Sequence, residues 1–167
     1  MLQTPIQSDI ALEPCEFTLL DRAYAIRGEY LDHCAKVEDW ICKALRHADG
    51  MGIKIKQPYL FGQKLKAAID LAQQTPNPFR KPEAVLKRLK EFQSYADMRG
   101  WLGHAIITVA QSEQGEELII FIKPGSNDAI PGHEAKCISF IHAKTINSSL
   151  KGLAKLICDQ NIKAIKA

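Results

Sequence analysis

The hydrophobic rhythm of this chain changes at one hexapeptide, Arg99-Gly-Trp-Leu-Gly-His104, and that change limits the folds open to it. Upstream, apolar residues recur at the 3.6-residue spacing of amphipathic helices. Downstream, Ile106, Ile107 and Val109, and then Leu118 to Ile122, form β-branched runs separated by a polar connector holding Gly115. Runs of that kind around a glycine-containing connector read as an antiparallel hairpin. The helical rhythm then returns. The expected fold class is therefore mainly α: an up-and-down helical bundle with a small antiparallel hairpin or three-stranded sheet inserted before the last helix.

The spacing predicts a first helix from about Thr18 to Asp49, with Leu20, Tyr24, Leu31, Cys34, Ile41 and Leu45 on its apolar face. Thr18 is placed to cap it, and Gly50 and Gly52 end it. A second helix is expected over Leu60 to Gln74. The proline-rich Thr75-Pro-Asn-Pro-Phe-Arg-Lys-Pro82 reads as a connection. Pro82 suits the first turn of a third helix, which carries Val85, Leu89, Phe92 and Ala96 and ends near Leu102. Lys136 to Ile141 is expected as a third strand, and Thr145 to Ile165 as the last helix. Residues 1–17 form an extended leader, and residues 18–167 a single domain with its β insertion at about 105–141.

At 167 residues the chain is long enough for one core that needs no disulfides or metal. A hydrophobic share of 46% with 25% charged residues belongs to a soluble globular domain. The formal charge of +3 allows a local basic patch but does not call for general coating of nucleic acid. Cys15, Cys34, Cys42, Cys137 and Cys158 contain no Cys-x-x-Cys pair, and most are expected as buried thiols in a reducing compartment. The histidines add no close ligand spacing, so neither a metal nor a cofactor is expected. The longest apolar run, Leu118 to Ile122, is too short to cross a bilayer, and no targeting segment opens the chain. A cytoplasmic protein without a membrane partner is expected.

Charged residues on apolar helix faces mark where chemistry could reside. Arg27 and Glu38 fall near the centre of the first helix's stripe, and Arg99 at the edge of the third's. A buried charge is costly without a partner, so each needs one or must open onto a cleft. Arg27 and Glu38 are roughly 16 Å apart along a helix and cannot serve each other. Glu38 with Arg99 is the favoured pair. The bland alternative is that all three reach along the stripe edge to water. Arg99 and His104 would lie on different sides of a continuous helix. They can converge only if the helix ends between them, and Gly103 would allow this through a left-handed terminal residue.

Arg99 and His104, the segment Tyr-Leu-Phe-Gly-Gln-Lys-Leu (59–65), the segment Asp-Met-Arg-Gly-Trp-Leu-Gly-His-Ala (97–105) and the order helix, helix, helix, hairpin, helix together resemble the HEPN superfamily. Its members carry an arginine, four to six residues and a histidine near the end of a long helix. The likeness covers about residues 18–165 and is nearest to stand-alone HEPN proteins of bacterial plasmids and defence islands. It implies a metal-independent endoribonuclease that works as a homodimer, with His104 as general acid and base and Arg99 on the scissile phosphate. Glu38 and Arg27 would support them. RNA is the implied partner, and a toxin or host-defence setting would add an antitoxin protein. This chain departs from the family at Gly100, where a polar residue usually follows the arginine. Arg27 with His33 fits the bare motif too, but only Arg99 and His104 stand at the helix-to-hairpin junction. The alternative is a non-catalytic dimeric interaction module of the same fold, in which Arg99 is a structural ion-pair residue. A helical small-molecule sensor is a third possibility. The lysines of the last helix (Lys144, Lys151, Lys155, Lys163 and Lys166) form a solvated face that could also follow an RNA backbone.

Overall fold

Thr18 begins the folded chain with a reciprocal cap: its hydroxyl accepts from the Asp21 amide at 3.2 Å, while the Asp21 carboxylate accepts from the Thr18 amide at 3.0 Å. The Thr18 hydroxyl also donates to the Asp21 carboxylate at 2.6 Å, and that bond first, then the one from the Thr18 amide, holds the Asp21 carboxyl below its usual pKa. The computed structural model describes residues 17–55, 58–124 and 133–162. From the cap runs α1 (Leu19–Gly50), followed by α2 (Phe61–Gln73) and α3 (Pro82–Leu102). Then come β1 (Ile106–Gln111), β2 (Glu117–Pro124), β3 (His133–Ser139) and α4 (Phe140–Cys158). The fold is a helical bundle with a three-stranded antiparallel sheet, ordered β1-β2-β3, between α3 and the last helix. The leader (except Phe17), the 125–132 loop and the chain beyond Ile162 lie outside the described residues.

Two boundaries differ from the sequence expectation for a local reason. Ser139 accepts a bond from the His142 amide at 3.3 Å and so caps α4. The last helix therefore starts at Phe140 instead of Thr145, and Ile141 leaves the third strand. At the other end, α4 stops at Cys158, and the chain turns so that Ile162 bridges to Phe79.

The buried face of α1 is also displaced. Ala23, Ile26, Tyr30, Cys34, Val37, Trp40, Ile41, Ala44, Leu45 and Ala48 are its buried residues, whereas Leu20 and Tyr24 are exposed. Alanines and Val37 thus move the true stripe to one side. Arg27 and Glu38 border it instead of occupying its centre. The cysteines also depart from expectation: Cys34 is buried, but Cys137 on the outer strand β3 and Cys158 in the last turn of α4 are exposed. Leu156, near the end of α4, is 49% exposed.

The core reaches from Phe79 and Trp40, whose rings stack at 5.7 Å, through Leu89 and Phe92 to Ile107, Ile119 and Phe121 on the inner face of the sheet. Arg22 clamps the sheet to α1, with its two terminal nitrogens 3.0 and 2.8 Å from the Glu117 carboxylate and its guanidinium over the Phe140 ring. No helix among the described residues is long and apolar enough to cross a membrane.

Candidate functional site

The C-terminal end of α3 reaches β1 in three residues. Gly103 is right-handed (φ −62°, ψ −22°), not left-handed as expected. Its amide still bonds to the Arg99 carbonyl at 3.0 Å, and the His104 amide bonds to the Trp101 carbonyl at 3.3 Å. The first is an ordinary helical bond and the second tightens the last turn, and buried Ala105 carries the chain directly into β1, so no left-handed residue is needed. Glycine suits the position for another reason: a Cβ there would stand 3.3 Å from the Arg99 carbonyl oxygen. The His104 side chain is exposed and has no hydrogen bond or ion pair with another described residue.

Arg99 does meet Glu38. Its Nη2 lies 3.3 Å from Glu38 Oε2, and its guanidinium sits 4.8 Å over the Phe61 ring. Glu38 has a second and closer partner, Lys64, with Nζ 2.7 Å from Oε1. The Lys64 and Glu38 side chains are 21% and 22% exposed, while Arg99 is 38% exposed. The bond to Glu38 holds the Lys64 ammonium above its ordinary pKa. One carboxylate thus serves two cations, leaving a net positive charge at the mouth of the α1–α2–α3 junction. Cys34 is buried nearby, and burial pushes its thiol up to about 12, which leaves it inert near neutral pH.

Arg27 does not join this group. Its Nη1 donates to the Ala105 carbonyl at 3.0 Å, and the guanidinium lies 5.3 Å from the Tyr24 ring centroid. It therefore fastens α1 to the residue after His104, and it pairs with no carboxylate among the described residues. His33, the other half of the second motif match, lies near Asp32 and Lys36, and burial lowers its pKa. Among the described residues, no three of His, Cys, Asp and Glu gather where they could hold a metal ion. Trp101 is buried, edge-on to Phe121, with the Lys136 ammonium 4.8 Å over its ring. It is a core side chain.

Three residues of interest escaped the sequence reading. Lys64 and Phe61 sit inside the segment 59–65, but their meeting with Glu38 and Arg99 depends on how α2 docks on α1. Asn147 is different: it is a polar residue on the apolar face of α4, the same signal that singled out Glu38. No family model, no curated protein and no solved structure matches this chain.

Proposed function

We propose that the chain is a HEPN-like domain that acts on RNA phosphodiesters, as a metal-independent endoribonuclease working as a homodimer. The observation that carries this reading is the unequal sharing of Glu38. Lys64 holds the carboxylate at 2.7 Å, whereas Arg99 reaches it through one nitrogen at 3.3 Å and keeps more than a third of its side chain in solvent. Arg99 is oriented but retains charge and donors for phosphate oxygens. Exposed His104 follows at the helix end with no competing partner among the described residues.

In the reaction these residues fit, His104 takes the proton of an RNA 2′-hydroxyl, and O2′ forms a bond to the adjacent phosphorus. The P–O5′ bond breaks, and an imidazolium returns a proton to O5′, leaving a 2′,3′-cyclic phosphate and a 5′-hydroxyl. Arg99 offsets the charge that grows on the phosphate oxygens. A second copy of the motif in a homodimer would supply the other proton-transfer group. Tyr59 and Leu60, just before Phe61, are 90% and 59% exposed, and Ile106, two residues after His104, is 62% exposed. Apolar surface this close to the site fits a contact between two copies. A cytoplasmic toxin or defence protein, restrained by an antitoxin, is the setting such chemistry fits.

A second reading has its own support. Arg99 lies over Phe61 and bonds Glu38, so it ties α3 to both α1 and α2. That is what a non-catalytic dimeric interaction module would require of it. The two readings separate when the purified full chain is incubated with single-stranded RNA in EDTA. Cyclic-phosphate ends are expected, with Arg99→Ala and His104→Ala each lowering cleavage by about a hundredfold or more. His104→Ala should leave the melting temperature unchanged. No cleavage by the parent, with a marked melting loss in Arg99→Ala alone, would establish the module.

A further inference from the structure

A cavity of about 580 Å³ lies between α1, the end of α3, the sheet and the start of α4. Its size falls in the range of sites that enclose a drug-sized ligand. Tyr30, Leu102, Phe121 and Ile146 give it apolar walls. Two features of its polar lining are unusual. Asn147 is only 5% exposed, and its Nδ2 donates to the Ile26 carbonyl at 2.8 Å and to Glu29 at 3.3 Å. Its Oδ1 is buried with no donor among the described residues. A buried acceptor left unmatched destabilises the fold, so it calls for an explanation.

Arg27 is the second feature. It lines the same cavity, spends one nitrogen on the Ala105 carbonyl, and has no carboxylate within ion-pair distance among the described residues. Lys136 adds a further cation, and Glu116 is the one carboxylate among the described lining residues. The lining is therefore net positive, mostly apolar, and short of one donor.

We propose that this cavity binds a small amphipathic acid, with an apolar body, a carboxylate for Arg27 and an N–H or O–H donor for Asn147. Oδ1 is closed off from the cavity, so the donor meets it after a small turn of the Asn147 side chain toward the ligand. The site uses neither Arg99 nor His104, so it stands independently of the RNA reading.

N-octanoylglycine carries all three elements and serves as the probe, with N-octanoylglycinamide as its uncharged counterpart and octanoate as the one lacking the donor. Calorimetric titration of the full chain should show saturable binding of one molecule per chain. The uncharged amide and the Arg27→Gln variant should each weaken it by about tenfold or more, the worth of a charge-assisted hydrogen bond, and octanoate should bind more weakly than N-octanoylglycine. Ile146→Trp should fill the cavity and abolish binding while the protein still melts cooperatively. Should that variant not fold, the side-chain amide resonances of Asn147 in the parent protein give the answer, because they should shift on titration. No saturable binding of N-octanoylglycine would overturn the proposal. So would binding indifferent to Arg27→Gln, or resonance shifts that spare Asn147.

Discussion

At the N-terminal end of α3, Phe79 is fully buried against Trp40, and Asn77 spends its amide on two backbone groups, the Phe79 amide and the Gln74 carbonyl. At the C-terminal end, Glu38 is shared by Lys64 and Arg99, Arg27 leans on a carbonyl, and His104 stands in solvent. Both ends join the same helix to α1, the first with closed packing and the second with Trp101 and Leu102 buried beside charged groups that stay partly exposed. Paired against each other, they show where this small domain fixes its shape and where it keeps polar groups available. A structural joint would have matched its charges and covered its histidine. The C-terminal end does neither, and the proposed phosphodiester site rests on that difference.

Truncation at the packed end should cost most. Phe79→Ala removes a fully buried ring, with an expected loss of about 3–5 kcal/mol in denaturant unfolding. A loss no larger than that of a surface variant would mean that the 75–82 connection is not part of the core. Next comes Glu38→Gln, which leaves Lys64 and Arg99 facing each other without a carboxylate. Because these groups are partly exposed, the cost should be about 1–2 kcal/mol, less than for a fully buried pair. The sign with pH follows from Lys64. Its raised pKa makes the pair's contribution whole at neutral pH, and that contribution fades as pH climbs past the ordinary lysine value of 10.5 and through the folded value. Lys64→Met should flatten the alkaline limb of the stability profile. The smallest effect separates three glycines. Gly52 and Gly115 have φ near +80°, so alanine at either should cost about 1 kcal/mol or more. Gly103→Ala, in the right-handed region, should cost clearly less, measured by the shift in melting temperature.

The bundle was legible because its boundaries are marked by local chemistry. Thr18 and Pro82 announce the starts of α1 and α3, and β-branched runs announce β1 and β2. The start of α4 was misplaced because Phe140 and Ile141 look like strand residues until the capping bond of Ser139 is seen. The stripe of α1 was misplaced because alanines carry little weight in a hydrophobic pattern yet fill closely packed helix contacts. In the site, the Glu38–Arg99 contact could be anticipated from two charges on apolar faces. Its dominant partner, Lys64, could not, since that contact depends on a docking of α2 that no local pattern encodes. Asn147 carries a readable signal too, a lone amide on an apolar helix face.

The availability of Arg99 can be measured without any substrate, through the coupling free energy between Glu38 and Arg99. A double-mutant cycle of Glu38→Gln and Arg99→Gln, followed by denaturant unfolding, isolates that quantity. If Arg99 is merely oriented by a carboxylate that belongs chiefly to Lys64, the coupling should stay below about 1 kcal/mol and below that of the matching Glu38–Lys64 cycle. A coupling of about 3 kcal/mol, or one exceeding the Lys64 value, would make Arg99 a locked structural ion-pair residue. That result would contradict its assignment to a phosphodiester site.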